Sequence, residues 1–165
     1  TDIYYVLAKG HTAMKNFKSA VENLSKMFEK FEKTYGFNSD KTAKICMEFG
    51  QLYEMANSLK DSIEYYGYAW GIWEKVLEGN PSEEGYNMVL DVAIKMSELT
   101  HKTGKAAESY EILKACERKY EHTYENKKKK CLEVKRLLIK YSEEGQDLEA
   151  NYNELIGFEV SNIII

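Results

Sequence analysis

Proline is nearly missing from this sequence. Pro81 is the single example in 165 residues, and glycine occurs only ten times. Long stretches without either favour helix over strand, and no alternating polar–apolar run of useful length argues otherwise. Cysteine is scarce and odd in number. Cys46, Cys116 and Cys131 are too widely spaced for a disulfide framework. Reduced thiols are expected, with Cys116 acting as a small core residue. No apolar run is long enough to span a membrane, and no secretory leader pattern is present. A basic excess is missing as well. The net charge of −4 and pI near 5.5 lack the electrostatic footprint of a nucleic-acid binder, so no nucleic-acid partner is expected. Of the 23 basic residues only Arg118 and Arg136 are arginines, a bias that suggests coding from an A+T-rich genome.

Catalytic signatures are absent too. No glycine-rich turn leads into Gly-Lys-Ser or Gly-Lys-Thr, no Gly-x-Ser-x-Gly elbow occurs, and no paired cysteines suggest zinc. His11, His101 and His122 are scattered. Glu98-Leu99-Thr100-His101 has the Glu-x-x-His spacing of di-iron bundles. Such a site needs a second copy and two further glutamates, and no second copy exists. The pair reads as solvated or groove-lining polar side chains. The expectation is therefore no enzyme activity, no cofactor and no metal. The sequence opens at Thr1 and stops on Asn162-Ile163-Ile164-Ile165. Both ends look cut from something longer, and a longer chain is expected.

What is present is helical and repetitive. On a helix of 3.6 residues per turn, Ile63, Tyr66, Trp70, Trp73 and Leu77 form one apolar stripe. Tyr65, Tyr68, Ala69, Ile72 and Val76 form a second. A helix with two stripes must touch two layers, as the second helix of each pair does in a stacked array. Repeats are the natural test. "EFGQLYEMANSLKDSIEYYGYA" (48–69) aligns with "KMSELTHKTGKAAESYEILKAC" (95–116) at an offset of 47. Gly50 meets Ser97, Leu52 meets Leu99, Ser62 meets Ser109 and Ala69 meets Cys116. "VLAKGHTAMKNFKSAVENLSKM" (6–27) aligns at an offset of 42, and a last segment through Leu138, Ile139, Tyr141, Leu148, Tyr152 and Phe158 fits 42 beyond the third. Small residues at Ala20, Gly50, Ser62, Ser97 and Ser109 let paired helices approach, and large ones fill the gaps. Asn57-Ser58, Thr103-Gly104 and Gly145-Gln146 mark turns within pairs. Gly36 to Asp40 and Gly79 to Ser82 separate pairs, and Ser82 before Glu83-Glu84 suits a helix start.

This pattern resembles the tetratricopeptide repeat family, in its 42-residue kinesin-light-chain-like variety. "GQLYEMANSLKDSIEYYGYA" is the best single match, with "FEKTYGFNSDKTA" (31–43) and "WEKVLEGNPSEEGYN" (73–87) as repeat tails. His11, Ile139 and Asn151 depart from the pattern in the outer repeats. The resemblance implies an all-α, right-handed superhelical solenoid of about four helix pairs. It would form a single domain over 1–160, with repeats near 2–36, 41–80, 84–124 and 126–160.

The same resemblance implies a concave groove lined by first helices. Its positions here are Tyr5, Lys9 and Thr12, then Met47, Glu48, Gln51 and Met55. Ile94, Lys95, Glu98 and Lys102 follow, then Arg136, Lys140 and Glu143. Kinesin light chains carry asparagines at the positions of Met47 and Glu48; this chain does not. Gly67 and Gly71, on the helix face that neither apolar stripe claims, invite two readings: relief of crowding beside Tyr66 and Trp70, or a convex docking surface. Lys127 to Lys130 is either a solvated helix opening or a contact for an acidic partner. The expected function is a non-enzymatic protein–protein interaction scaffold holding subunits or peptide segments of a larger assembly. Reversible cargo binding in the groove is the alternative. The expected location is cytoplasmic, in a cytoskeletal or ciliary setting.

Overall fold

The structure, a computed structural model, describes residues 2–120 and 128–142. These residues form seven helices, and no strand occurs among them. They are α1 (Ile3–Ala13), α2 (Phe17–Tyr35), α3 (Asp40–Met55), α4 (Leu59–Gly79), α5 (Glu83–Lys102), α6 (Ala106–Tyr120) and α7 (Lys128–Tyr141). The chain divides into two compact units, residues 1–92 and 93–165, and the division falls inside α5. The expected turn at Gly145-Gln146, and Glu143, Leu148, Asn151, Tyr152 and Phe158, lie outside the described residues.

Short polar side chains start the helices. Asp2 accepts from the Tyr4 amide, Asn16 from Ser19 and Ser82 from Gly85. Ser39 and Thr42 form a reciprocal capping box at the start of α3. The turns inside helix pairs repeat one backbone geometry. Lys15, Asn57 and Gly104, spaced 42 and 47 apart, all have positive φ, at 58°, 60° and 84°. At each turn the following amide reaches five residues back: Asn16 to the His11 carbonyl, Ser58 to Tyr53 and Lys105 to Thr100. These are Schellman-type closures that satisfy the last helical carbonyls. Asn57 and Gly104 are ordinary choices for this conformation; Lys15 is not, and its Cβ crowds the next carbonyl. Lys15→Gly is therefore expected to stabilise the chain by about 0.5–1 kcal/mol, after allowing for the freer unfolded glycine. A urea midpoint that falls would contradict this.

The small residues bring the paired helices together. Ala8 and Ala20 are buried at the α1–α2 contact. At the matching places in α3 and α4, the Ser62 hydroxyl donates to the Gly50 carbonyl at 2.7 Å. At the matching places in α5 and α6, Ser97 and Ser109 each donate to the other's carbonyl at 2.9 Å. One close crossing is thus built three times, and the buried hydroxyls are satisfied by backbone carbonyls across it.

In the first unit Ala8, Ala20, Leu24, Met27, Ile45, Phe49 and Leu52 form one apolar core. In the second, Leu113 and Cys116 of α6 are fully buried, as are Val134 and Leu138 of α7, with α6 against α7. The two-stripe expectation for α4 needs correction. Its buried residues are Ser62, Tyr66, Ala69, Ile72, Trp73 and Leu77, a single broad band that draws on both stripes. Tyr68 is half exposed, and Ile63, Trp70 and Val76 are only partly covered.

Candidate functional site

Side chains of α1 and α3 meet over α2, and Glu48 is the centre of that meeting. Its carboxylate accepts from the Tyr5 hydroxyl at 3.1 Å and pairs with the Lys9 ammonium. Lys9 also stands 5.2 Å above the Tyr5 ring. Partial burial by itself would lower the Lys9 pKa, but the bond to Glu48 outweighs it and holds the ammonium above its usual value.

A hollow opens on each side of Glu48. The larger, about 340 Å³, is bounded by the capping residue Asp2 and Tyr5 of α1, Met27 and Phe31 of α2, and Lys41, Lys44 and Ile45 of α3. The smaller, about 30 Å³, is bounded by Ala8, Lys9 and Thr12 of α1, Leu24 of α2, and Gln51, Leu52 and Met55 of α3. Six residues expected in the groove (Tyr5, Lys9, Thr12, Glu48, Gln51 and Met55) are thereby brought together. The helix spacing explains this: 48, 51, 52 and 55 share one face of α3, as 5, 8, 9 and 12 share one face of α1. Met47 is half-buried and bounds neither hollow. Lys44 bridges to Glu84 at the start of α5 at 2.6 Å and lies 5.8 Å from the Trp73 ring.

In the second unit, Lys95 and Glu98 are half-buried on α5, Lys102 is exposed at its end, and Arg136 and Lys140 are exposed on α7. Tyr141 gathers several of these groups. Its ring stacks on His101 with centroids 4.3 Å apart, and Lys140 lies 5.4 Å from the same ring. Burial, and then the Glu98 carboxylate, push the Tyr141 phenol pKa up. Ile94 corrects the expected groove lining: it is only 7% exposed and belongs to the core.

Gly71 is exposed, and a Cβ built on it would meet nothing within 4 Å. Crowding therefore does not explain this glycine. Gly67 is half-buried. Lys127 lies outside the described residues; Lys128 opens α7, and Lys130 is half-buried. Among the described residues no three His, Cys, Asp or Glu side chains converge as a metal site, and no helix is long and apolar enough to cross a membrane.

One feature was not anticipated from the sequence. A third hollow, of about 330 Å³, lies on other faces of α2 and α3 and is bounded also by α4. Its walls are aromatic: Phe28 and Phe37 on one side, Phe49, Tyr65 and Tyr68 on the other, with Cys46 between. Burial raises the Cys46 thiol pKa to about 11, which leaves it a poor nucleophile at neutral pH. The sequence pattern places Tyr65 and Tyr68 on an apolar stripe of α4 and Phe37 in the segment that separates two pairs.

No protein-family model and no curated protein sequence matches the chain. Among solved structures, BtubC (BKLC) from P. vanneervenii is similar, with a TM-score of 0.70 at 16% identity over 96% of this chain and 63% of that one. The chain thus spans less than two thirds of that protein's length. A Podosopora anserina protein described as a putative kinesin light chain with nearly identical TPR-like repeats aligns at a TM-score of 0.40 and 11% identity, over 96% of this chain and 94% of that one. A point variant of that protein aligns at 0.41 and 11%, over 98% and 95%. At such identities the likeness is one of fold. The fold is all-α and of the TPR-like repeat kind.

Proposed function

We propose that this chain is a non-enzymatic protein–protein interaction scaffold that holds subunits or peptide segments of a larger assembly. The observation behind this reading is the α1–α3 groove. Two adjoining hollows share Glu48, and acidic, basic, aromatic and thioether groups line them within a few turns of helix. Such a mixed lining suits a peptide segment that offers both apolar and charged side chains. The cytoplasmic, cytoskeletal or ciliary setting is the narrower form of the reading, supported by the repeat spacing and the composition.

Lys95, Glu98, Lys102, Arg136 and Lys140 are proposed to extend partner contacts to the second unit. Lys127 to Lys130 is proposed as a contact for an acidic partner. A second reading places a permanent subunit contact at Gly67 and Gly71. The open space around Gly71 favours it, because a helix-interior glycine costs about 1 kcal/mol relative to alanine with no internal crowding to justify it.

Capture of native partners by the tagged chain separates the two, with Glu48→Lys and Gly71→Leu as variants. Glu48→Lys is expected to lose specific partners at least about tenfold, since a rejected charge in a groove is worth several kcal/mol. Gly71→Leu is expected to retain them. Loss with Gly71→Leu alone moves the contact to α4. Unchanged capture by both variants removes the groove reading.

A further inference from the structure

We infer that the aromatic hollow of α2, α3 and α4 is a second docking site, and that its occupant is a basic amphipathic helix. This helix would insert one or two large apolar side chains between the aromatic walls and set lysines or arginines on the rim. The inference stands apart from the α1–α3 groove, because the residues involved occupy other faces of the same helices.

The walls are ordered by ring contacts. Phe28 meets Phe37 edge to face at 6.2 Å, and Tyr65 stacks on Phe49 at 4.8 Å while its edge meets Tyr68 at 5.7 Å. Phe37 and Tyr68 are each 50% exposed, so aromatic surface is presented to solvent. Phe37 sits in a fixed loop. Gly36 turns the chain with φ of 84°, and the Thr42 hydroxyl donates to the Phe37 carbonyl. Exposed rings held in place need little ordering on binding, which favours anchor residues.

Charge selects the partner. Glu29 bounds the hollow, and Glu22 and Glu32 lie along the same exposed line of α2. On α4, Glu64 accepts at 2.6 Å from the hydroxyl of Tyr68, which bounds the hollow. The lysines in the middle of α2 are directed elsewhere. Lys30 pairs with Asp2 at 2.6 Å, and Lys26 lies over the Tyr4 ring, both toward α1. Lys18 and Lys33, in the first and last turns of α2, and Lys60, one turn before Glu64, are exposed on the same helix lines but do not bound the hollow, and Lys75 of α4 pairs with Glu78. Among the described residues no lysine or arginine bounds the hollow. An apolar slot bounded by the Glu29 carboxylate, with Glu64 bonded to the Tyr68 of its wall and no cation among the lining residues, complements an apolar helix face flanked by cations and disfavours an acidic one.

The test uses a synthetic leucine–lysine amphipathic helical peptide and its leucine–glutamate counterpart, each about five turns long. Binding to the whole chain is read by fluorescence polarisation. The leucine–lysine peptide should bind saturably, and the leucine–glutamate peptide at least about tenfold more weakly. Tyr68→Ala, Phe37→Ser and the Glu29→Lys/Glu32→Lys pair should each weaken the basic peptide by about tenfold or more. All four positions are exposed, and circular dichroism checks that each variant keeps its helices. The control reversal Glu78→Lys/Glu108→Lys should change little. Equal loss with the control would mean generic charge attraction and would overturn the inference. Unchanged affinity in Tyr68→Ala and Phe37→Ser, loss with Glu48→Lys alone, or no saturable binding would overturn it as well.

Discussion

Lys135→Met should destabilise the chain by about 3 kcal/mol, because it removes one of the two ammonium partners of a buried carboxylate. Glu117 of α6 is 8% exposed and Lys135 of α7 is 7% exposed. The Lys135 ammonium donates to one carboxylate oxygen at 3.0 Å, and Lys114 donates to the other at 3.0 Å. Burial alone would raise the Glu117 pKa. The bonds from Lys135 and Lys114 together outweigh it, so the carboxyl titrates below its ordinary value of 4.5. Its contribution to stability is therefore complete above about pH 4.5 and is lost as the pH falls through the lowered folded value. Removing Lys135 reverses the balance. The carboxyl keeps one partner, burial raises its pKa, and protonation then relieves the strain. The deficit of Lys135→Met should thus shrink as the pH is lowered toward about 4. The double variant Glu117→Leu/Lys135→Met removes both charges and should lie much closer to wild type than the single one. Urea titrations of the three proteins at two pH values decide the matter. A single variant that costs under about 1 kcal/mol would show that the pair behaves like an exposed bridge.

Gly50→Val should cost about 3 kcal/mol or more by overpacking, and Gly50→Ala about 1–3 kcal/mol. A Cβ at residue 50 would stand 2.8 Å from two ring carbons of Tyr66 and 2.9 Å from a third. Tyr66 is only 2% exposed, and its ring has no free end to swing away. The contact lies beside the Ser62 bond to the Gly50 carbonyl, so separating α3 from α4 to fit the methyl also stretches that bond. Burial raises the Tyr66 phenol pKa well above the ordinary range, and its early titration in Gly50→Ala would report the opened contact. Ser97 holds the equivalent place in α5 with a side chain already present. Ser97→Ala should lose mainly its hydrogen bonds, about 1 kcal/mol. Equal costs at 50 and 97 would mean that the Tyr66 contact does not govern the crossing.

The 42- and 47-residue spacing of the first three pairs, the turns at Asn57-Ser58 and Thr103-Gly104, and the small–small crossings at Gly50/Ser62 and Ser97/Ser109 were legible in the amino-acid order. They are local or periodic: hydrophobic spacing, turn residues and side-chain volume recur at fixed distances along the chain. The groove positions Tyr5, Lys9, Glu48, Gln51 and Met55 came instead from the family resemblance, and helical spacing is what then sets each group on one face of its helix. That Lys9 and Tyr5 would both engage Glu48 could not be read, because periodicity assigns a face and not a partner.

Other features needed the tertiary structure. Lys15 carries no turn signal, yet the closure of α1 onto α2 imposes the positive φ that Asn57 and Gly104 adopt readily. Tyr68 has core spacing but stands half exposed, because the rings of Phe49, Tyr53 and Tyr65 already occupy the layer beside it. Glu117 and Lys135 look like surface charges until α6 and α7 pack. The amino-acid order thus determined which residues form helices and which faces are apolar. Tertiary packing decided which polar groups met, which rings stayed outside and where the hollows opened, because each depends on side chains brought together from separate helices.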